Sequence, residues 1–174
     1  MMADREPGET TNLDRYGNDA LPWSRPRDVL DAISPTEHVT WFLGTARPDG
    51  RPHAAGVGAM WHDGDLFFTS GDGTRKSRNL ADNDAATVAV RLTGIDLVFE
   101  GQAVRVTDRP TLDALATRYN EGGWPATVDG DAFTAPFSAP SAGPPPWALY
   151  RLRIDTVFGV ATEEPHGATK WRFT

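Results

Sequence analysis

The strongest chemical signal in the chain is Thr69-Ser70 followed by Thr74-Arg75-Lys76-Ser77-Arg78, with Gly71-Asp72-Gly73 between them. With Thr74 capping a helix, Arg75, Lys76 and Arg78 fall in its first turn. There they oppose the helix dipole, at a cost of about 0.3–1 kcal/mol each. An anion at the helix mouth reverses that sign, because it accepts free backbone N–H groups and charge-assisted bonds together. The hydroxyls of Thr69, Ser70 and Thr74 add donors at the end of the adjoining strand. A phosphate pocket is one reading; a solvated helix face is the other use of such a charge run. Neither familiar glycine motif applies. Gly71-Asp72-Gly73 lacks the third glycine of a dinucleotide fingerprint, and Lys76-Ser77 follows Arg75 where a P-loop needs Gly.

Other residue types give weaker signals. The histidines are His38, His53, His62 and His166, and none pairs with another at metal-ligand spacing. Asp129-Gly130-Asp131 offers two acids, too few for a hard cation that takes six or more oxygens. No metal site is expected. With no cysteine, disulfides, thiolate nucleophiles and Cys-containing metal sites are excluded. No Ser-His-Asp arrangement can be assigned. Trp23, Trp41 and Trp61 suit a core or an interface better than a platform for stacked bases.

The elements that must position these groups fit one domain. The 174 residues carry 39% hydrophobic and 24% charged residues, the balance of a globular protein with a core. Lys+Arg 17 against Asp+Glu 24 gives a net charge of −7, which argues against nucleic acid or an anionic membrane as partner. No apolar run reaches the roughly 20 residues of a membrane span, and the amino end shows no apolar signal region. A cytoplasmic protein is expected. Residues 1–25 are polar and aperiodic and are read as a flexible arm, with the folded domain over 26–174.

The spacing predicts a short helix from Ser24 through Ile33, ended by Pro35. His38 to Arg47 reads as a strand, Pro48-Asp49-Gly50-Arg51 as a turn, and Pro52 to Trp61 as the returning strand. Leu66 to Ser70, Ala86 to Leu92 and Leu97 to Val106 follow as strands. Leu112, Leu115, Ala116 and Tyr119 form the stripe of an amphipathic helix. Ala148 to Ile154 and Thr156 to Thr162 read as two final strands. Between them and the helix, residues 121–147 are rich in Pro, Gly and Ala yet carry Trp124, Phe133, Phe137 and Trp147. So long a connection suggests a lid, a binding loop or a dimer arm. The whole is mainly β with small helices, an antiparallel barrel closed or partly closed.

The run from Val39 to Val90 resembles the pyridoxamine-phosphate-oxidase-like split-barrel family of flavin and deazaflavin proteins. The matching pieces are Leu43-Gly44-Thr45-Ala46, Asp49-Gly50-Arg51-Pro52, Leu66-Phe67-Phe68-Thr69-Ser70 and Thr74-Arg75-Lys76-Ser77-Arg78-Asn79-Leu80. Gly101 and the tail Thr169-Lys170-Trp171-Arg172-Phe173 extend the match. The resemblance implies a six-stranded antiparallel split barrel and a homodimer with FMN or coenzyme F420 in a groove between subunits. It places Thr69 and Ser70 along the cofactor, Arg75 and Lys76 on its phosphate, and Trp171 and Arg172 near it from the partner chain.

Members that oxidise pyridoxamine phosphate carry Arg and Lys on the second strand, and an Arg-x-His grip near the end. Here the strand is His53-Ala54-Ala55-Gly56-Val57-Gly58, and Lys170-Trp171-Arg172 stands in place of the grip. Vitamin B6 oxidation is therefore not expected. Small residues at Ala54, Ala55 and Gly56 let a flat ring approach the backbone, a profile similar to the deazaflavin-using branch. The expected activity is hydride transfer between coenzyme F420 and an unsaturated small molecule, with His53 as the candidate proton donor. An FMN oxidoreductase and a non-catalytic protein that binds a flavin- or haem-like ligand are the alternatives.

Overall fold

In the computed structural model, which describes residues 5–173, side-chain alternation sets most of the architecture, since successive strand residues face opposite sides of a sheet. The elements are β1 (Glu9–Asn12), α1 (Ser24–Asp31), β2 (Trp41–Ala46), β3 (Pro52–Val57), β4 (Ala59–His62), β5 (Asp65–Gly71), α2 (Arg75–Asp82), β6 (Ala85–Leu92) and β7 (Ile95–Val106), then α3 (Arg109–Glu121), β8 (Thr127–Asp129), β9 (Ala132–Thr134), β10 (Trp147–Ala161) and β11 (Ala168–Arg172). The protein is mainly β, with antiparallel pairing and three small helices.

The strand order is β1-β11-β10-β7-β6-β2-β3, and β5 with β4 branches from β10. β10 organises the sheet. Along one edge it pairs with β7; along the other, its first half pairs with β5 and its second with β11. Gly101 permits the tight crossing, because a Cβ there would run into the backbone carbonyl of Arg153. Inside lie Leu43, Val88, Leu97, Phe99 and Val157, all 1% exposed or less. Burial of each such side chain contributes roughly 1.5–3 kcal/mol. A second cluster, with Leu112, Leu115, Tyr119, Phe133 and Leu149, sits under α3.

Several expectations change. The six-stranded count becomes an eleven-stranded sheet, and no ladder joins β3 to β4 or β5, so the sheet stays split there. The returning strand breaks at Gly58 into β3 and β4. The two final strands are one, because Asp155 is absorbed as a register shift between Ile154 and Thr156 rather than as a turn.

The flexible arm is ordered over its described part. Glu9–Asn12 pairs with β11, and Leu21 and Trp23 are buried. The Leu21 amide donates to Thr169 Oγ1 at 2.8 Å. Composition pointed to disorder, yet a few apolar residues and a free strand edge suffice to hold the segment. Among the described residues, no helix is long and apolar enough to cross a membrane.

Candidate functional site

The mouth of α2 is built as its sequence demands. Thr74 takes an extended conformation (φ −81, ψ 158) and its Oγ1 accepts from the Ser77 amide at 3.3 Å. Its hydroxyl lies 2.8 Å from the Gly71 carbonyl oxygen. Ser70 Oγ sits 2.6 Å from Ser77 Oγ and 3.0 Å from Thr74 Oγ1. This knot of hydroxyls locks the strand-to-helix junction. Arg78 folds back and donates to the Gly73 carbonyl at 2.6 Å.

The other two cations are left over. Lys76 is 5% exposed, and among the described residues no carboxylate lies within ion-pair distance of it. Burial pushes its pKa down. The Lys76 stem is buried while its ammonium opens into the groove with no partner among the described residues, so its charge is only partly desolvated and free to meet an anion. Arg75 is exposed and likewise has no ion pair among the described residues. Both line a groove of ≈ 700 Å³, within the size range of small-molecule sites.

One wall of the groove is β3. His53 pairs in register with Thr45 and Ala55 with Leu43, so both side chains face inward at the split. Burial is the main reason the His53 pKa is depressed, and the cations of Arg47, Arg75 and Lys76 press it further down. His53 is therefore neutral near pH 7. The third side comes from the chain's own 140–146 stretch, with Pro140, Ser141 and Pro144 in the lining. Asp72, also in the lining, is the carboxylate at the rim.

The groove brings together His53, Ala55, Gly56, Thr74, Arg75 and Lys76. The remaining expected site residues lie elsewhere. Ala54 points to the opposite face of β3 by alternation. Thr69 turns to the far face of β5, toward Tyr119, whose hydroxyl donates to the Gly58 carbonyl at 2.9 Å. Ser70 is fully buried, its hydroxyl spent on the knot.

Trp171 is fully buried and packs edge-on to Trp23 at 5.5 Å, its Nε1–H donating to the Leu21 carbonyl at 3.2 Å. In this chain Trp171 is a core residue and lies away from the groove, not along it. Arg172 is exposed and sits 3.7 Å from Glu9 on β1. Sequence reasoning missed Asp72, which proximity to Thr74 could have flagged; the 121–147 connection was expected as a lid, a binding loop or a dimer arm, and its 140–146 part lines the groove.

The fold is a mainly β antiparallel one, and its groove gathers Arg75 and Lys76 at the mouth of α2. The pyridoxamine 5'-phosphate oxidase family pattern matches residues 27–161, and the chain belongs to that family. Solved structures agree in fold. A pyridoxamine 5'-phosphate oxidase-related, FMN-binding protein from Nostoc punctiforme shares 18% identity and a TM-score of 0.56, over 85% of this chain and 88% of that one. An F420 reductase shares 22% identity and a TM-score of 0.51, over 75% and 93%. A heme-binding protein from Mycobacterium smegmatis shares 18% and 0.54, over 80% of this chain and 54% of that one. No curated protein matches.

Proposed function

We propose that the chain is an oxidoreductase that binds coenzyme F420 in this groove and exchanges a hydride with an unsaturated small molecule. The observation that carries the reading is Lys76, buried and unpaired at a helix mouth that also presents Arg75 and free backbone amides. A phosphate there satisfies all of these groups at once. The F420 reductase of the same fold supports the choice of cofactor, as does a β3 without Lys or Arg.

When bound, the deazaflavin supplies the hydride chemistry, and the protein supplies position and electrostatics. Arg75 and Lys76 hold the phosphate. Ala55 and Gly56 keep side chains out of the ring's way, and the 140–146 wall excludes water from that side. An anion on Arg75 and Lys76 would relieve two of the cations that press on His53, while burial, the larger cause, still favours its neutral form; His53 lines the groove as the candidate proton-handling group.

FMN is the second reading, favoured by the compactness of the cationic patch, which suits a single phosphate monoester, and by the FMN-binding relative. A spectroscopic titration with each cofactor tests both. Tight binding of F420 followed by substrate-dependent reoxidation supports the first, and a yellow FMN complex supports the second. Stoichiometric binding without any turnover would leave a ligand carrier instead of an enzyme.

The same reading includes a homodimer. Phe42, Val98 and Val160 are 52%, 37% and 53% exposed on the outer sheet face, and Phe42 pairs in register with groove-lining Gly56. Phe42→Glu should shift the solution mass from dimer to monomer; a monomeric wild type would rule the pairing out.

A further inference from the structure

The wall formed by 140–146 is held by a hydrogen-bonded turn of its own and by contacts to β5 and β10. The Ala139 amide donates to the Gly143 carbonyl at 2.9 Å, and the Gly143 amide returns to the Ala139 carbonyl at 2.8 Å. This turn has Gly143 at φ +76, a conformation that favours glycine. Two contacts tie it to the barrel. Trp147 Nε1–H donates to the Gly143 carbonyl at 3.3 Å, and Trp147 itself is 1% exposed in an aromatic group with Trp124 and Phe137. Gly71 packs so closely under the turn that a Cβ would run into the Ala142 carbonyl oxygen.

Half of the residues the turn presents to the groove are prolines, and the rest are Ser141, Ala142 and Gly143. Pro140, Pro144 and Pro146 are exposed and line it, and Ser141 carries the wall's polar side chain. Proline rings are rigid and bring no backbone N–H, so this wall offers flat apolar surface. The same groove is lined by the small residues Ala55 and Gly56 with His53, and by Asp72, Arg75 and Lys76. Its lining combines proline and small-residue surface with two cations and one carboxylate. A bare phosphate or a sugar phosphate uses only the cations; a planar heteroaromatic ring carrying a phosphate tail uses the apolar lining as well.

Resting on the proposed function, we infer that the Pro140–Pro146 wall is the second face of the ring slot, supplied by the same chain, and that it selects planar aromatic phosphates over phosphates without a ring. The test compares FMN, coenzyme F420 and inorganic phosphate on the full-length protein. In the wild type, hydrogen–deuterium exchange should slow across 139–147 with FMN or F420 and stay unchanged with phosphate.

In Pro140→Gly/Pro144→Gly, the dissociation constant for the ring-bearing ligand should rise tenfold or more. That for phosphate should stay within twofold, and iodide should quench the bound ring more readily. The exchange measurement needs no variant, so it stands even if the loop variant folds poorly. If 139–147 gains no protection and the variant binds as the wild type does, while Arg75→Ala/Lys76→Ala abolishes binding, the wall inference is overturned and the functional reading stands. If the wild type binds neither FMN nor F420, both are overturned.

Discussion

The mouth of α2 and the tail from Thr169 to Phe173 are two short polar segments with basic residues, and they differ in what already surrounds their charges. At the tail, Arg172 has Glu9 at 3.7 Å and its neighbour Trp171 is locked in the core. At the mouth, Lys76 is buried with no carboxylate in reach among the described residues, and Arg75 stands free. A basic residue by itself says little about binding. A basic residue whose charge the fold has left unanswered, beside an open groove, says much more.

The largest effect should come from the tail, and it should be structural. Trp171→Ala removes a fully buried indole and should cost about 3–5 kcal/mol, a fall in Tm of roughly 6–20 °C by calorimetry. Lost cofactor binding with an unchanged Tm would instead return Trp171 to the site.

At the mouth the order is reversed. Arg75→Ala/Lys76→Ala should weaken FMN or F420 binding by about 100-fold, as expected for loss of charge-assisted bonds, whereas Arg172→Ala should change it by less than about threefold. Equal losses in the two titrations would erase the contrast.

Lys76→Met sharpens it. Burial holds the folded-state pKa of Lys76 below its unfolded value, so its cost is fully present at neutral pH and fades as pH rises toward the ordinary lysine range. The unliganded variant should gain no more than about 2 °C in Tm, since solvent screens part of the cost at the open ammonium, while binding the cofactor more weakly. A drop in Tm would mean that Lys76 is already satisfied without a ligand.

The smallest effect concerns His53. Its folded-state pKa is depressed, so its contribution to stability is present above the unfolded value and is lost as pH falls below it. A bound anion relieves the part of that pressure that comes from Arg75 and Lys76. Sulfate, which does not titrate in this range, should bind tighter as pH falls below the ordinary histidine range, and His53→Ala should flatten that dependence. A wild-type curve already flat would take His53 out of the linkage.

Much of this was legible in the sequence because it is local. Thr74 as cap, the stripe of α3 and the Asp-Gly turns each depend on a few neighbouring residues. Trp171 is a core residue of its own chain, as the alternation in Ala168–Arg172, which puts Thr169 and Trp171 inward together, already implies; family likeness drew the reading toward the cofactor instead. Length and aromatics marked the 121–147 connection, but which part of it reaches the groove could not be read, because the position of 140–146 comes from Trp147 and Gly71, not from its own residues. The ordering of residues 9–23 depends on the edge of β11, at the far end of the chain.

That last dependence has a practical consequence. Beginning the polypeptide at Ser24, as its polar leader invites, would strip β11 of its outer neighbour and uncover a row of bare amides and carbonyls. It would also unseat Leu21 from Thr169. A shortened version of this kind should self-associate, so affinity tags belong ahead of the first strand and not in place of it.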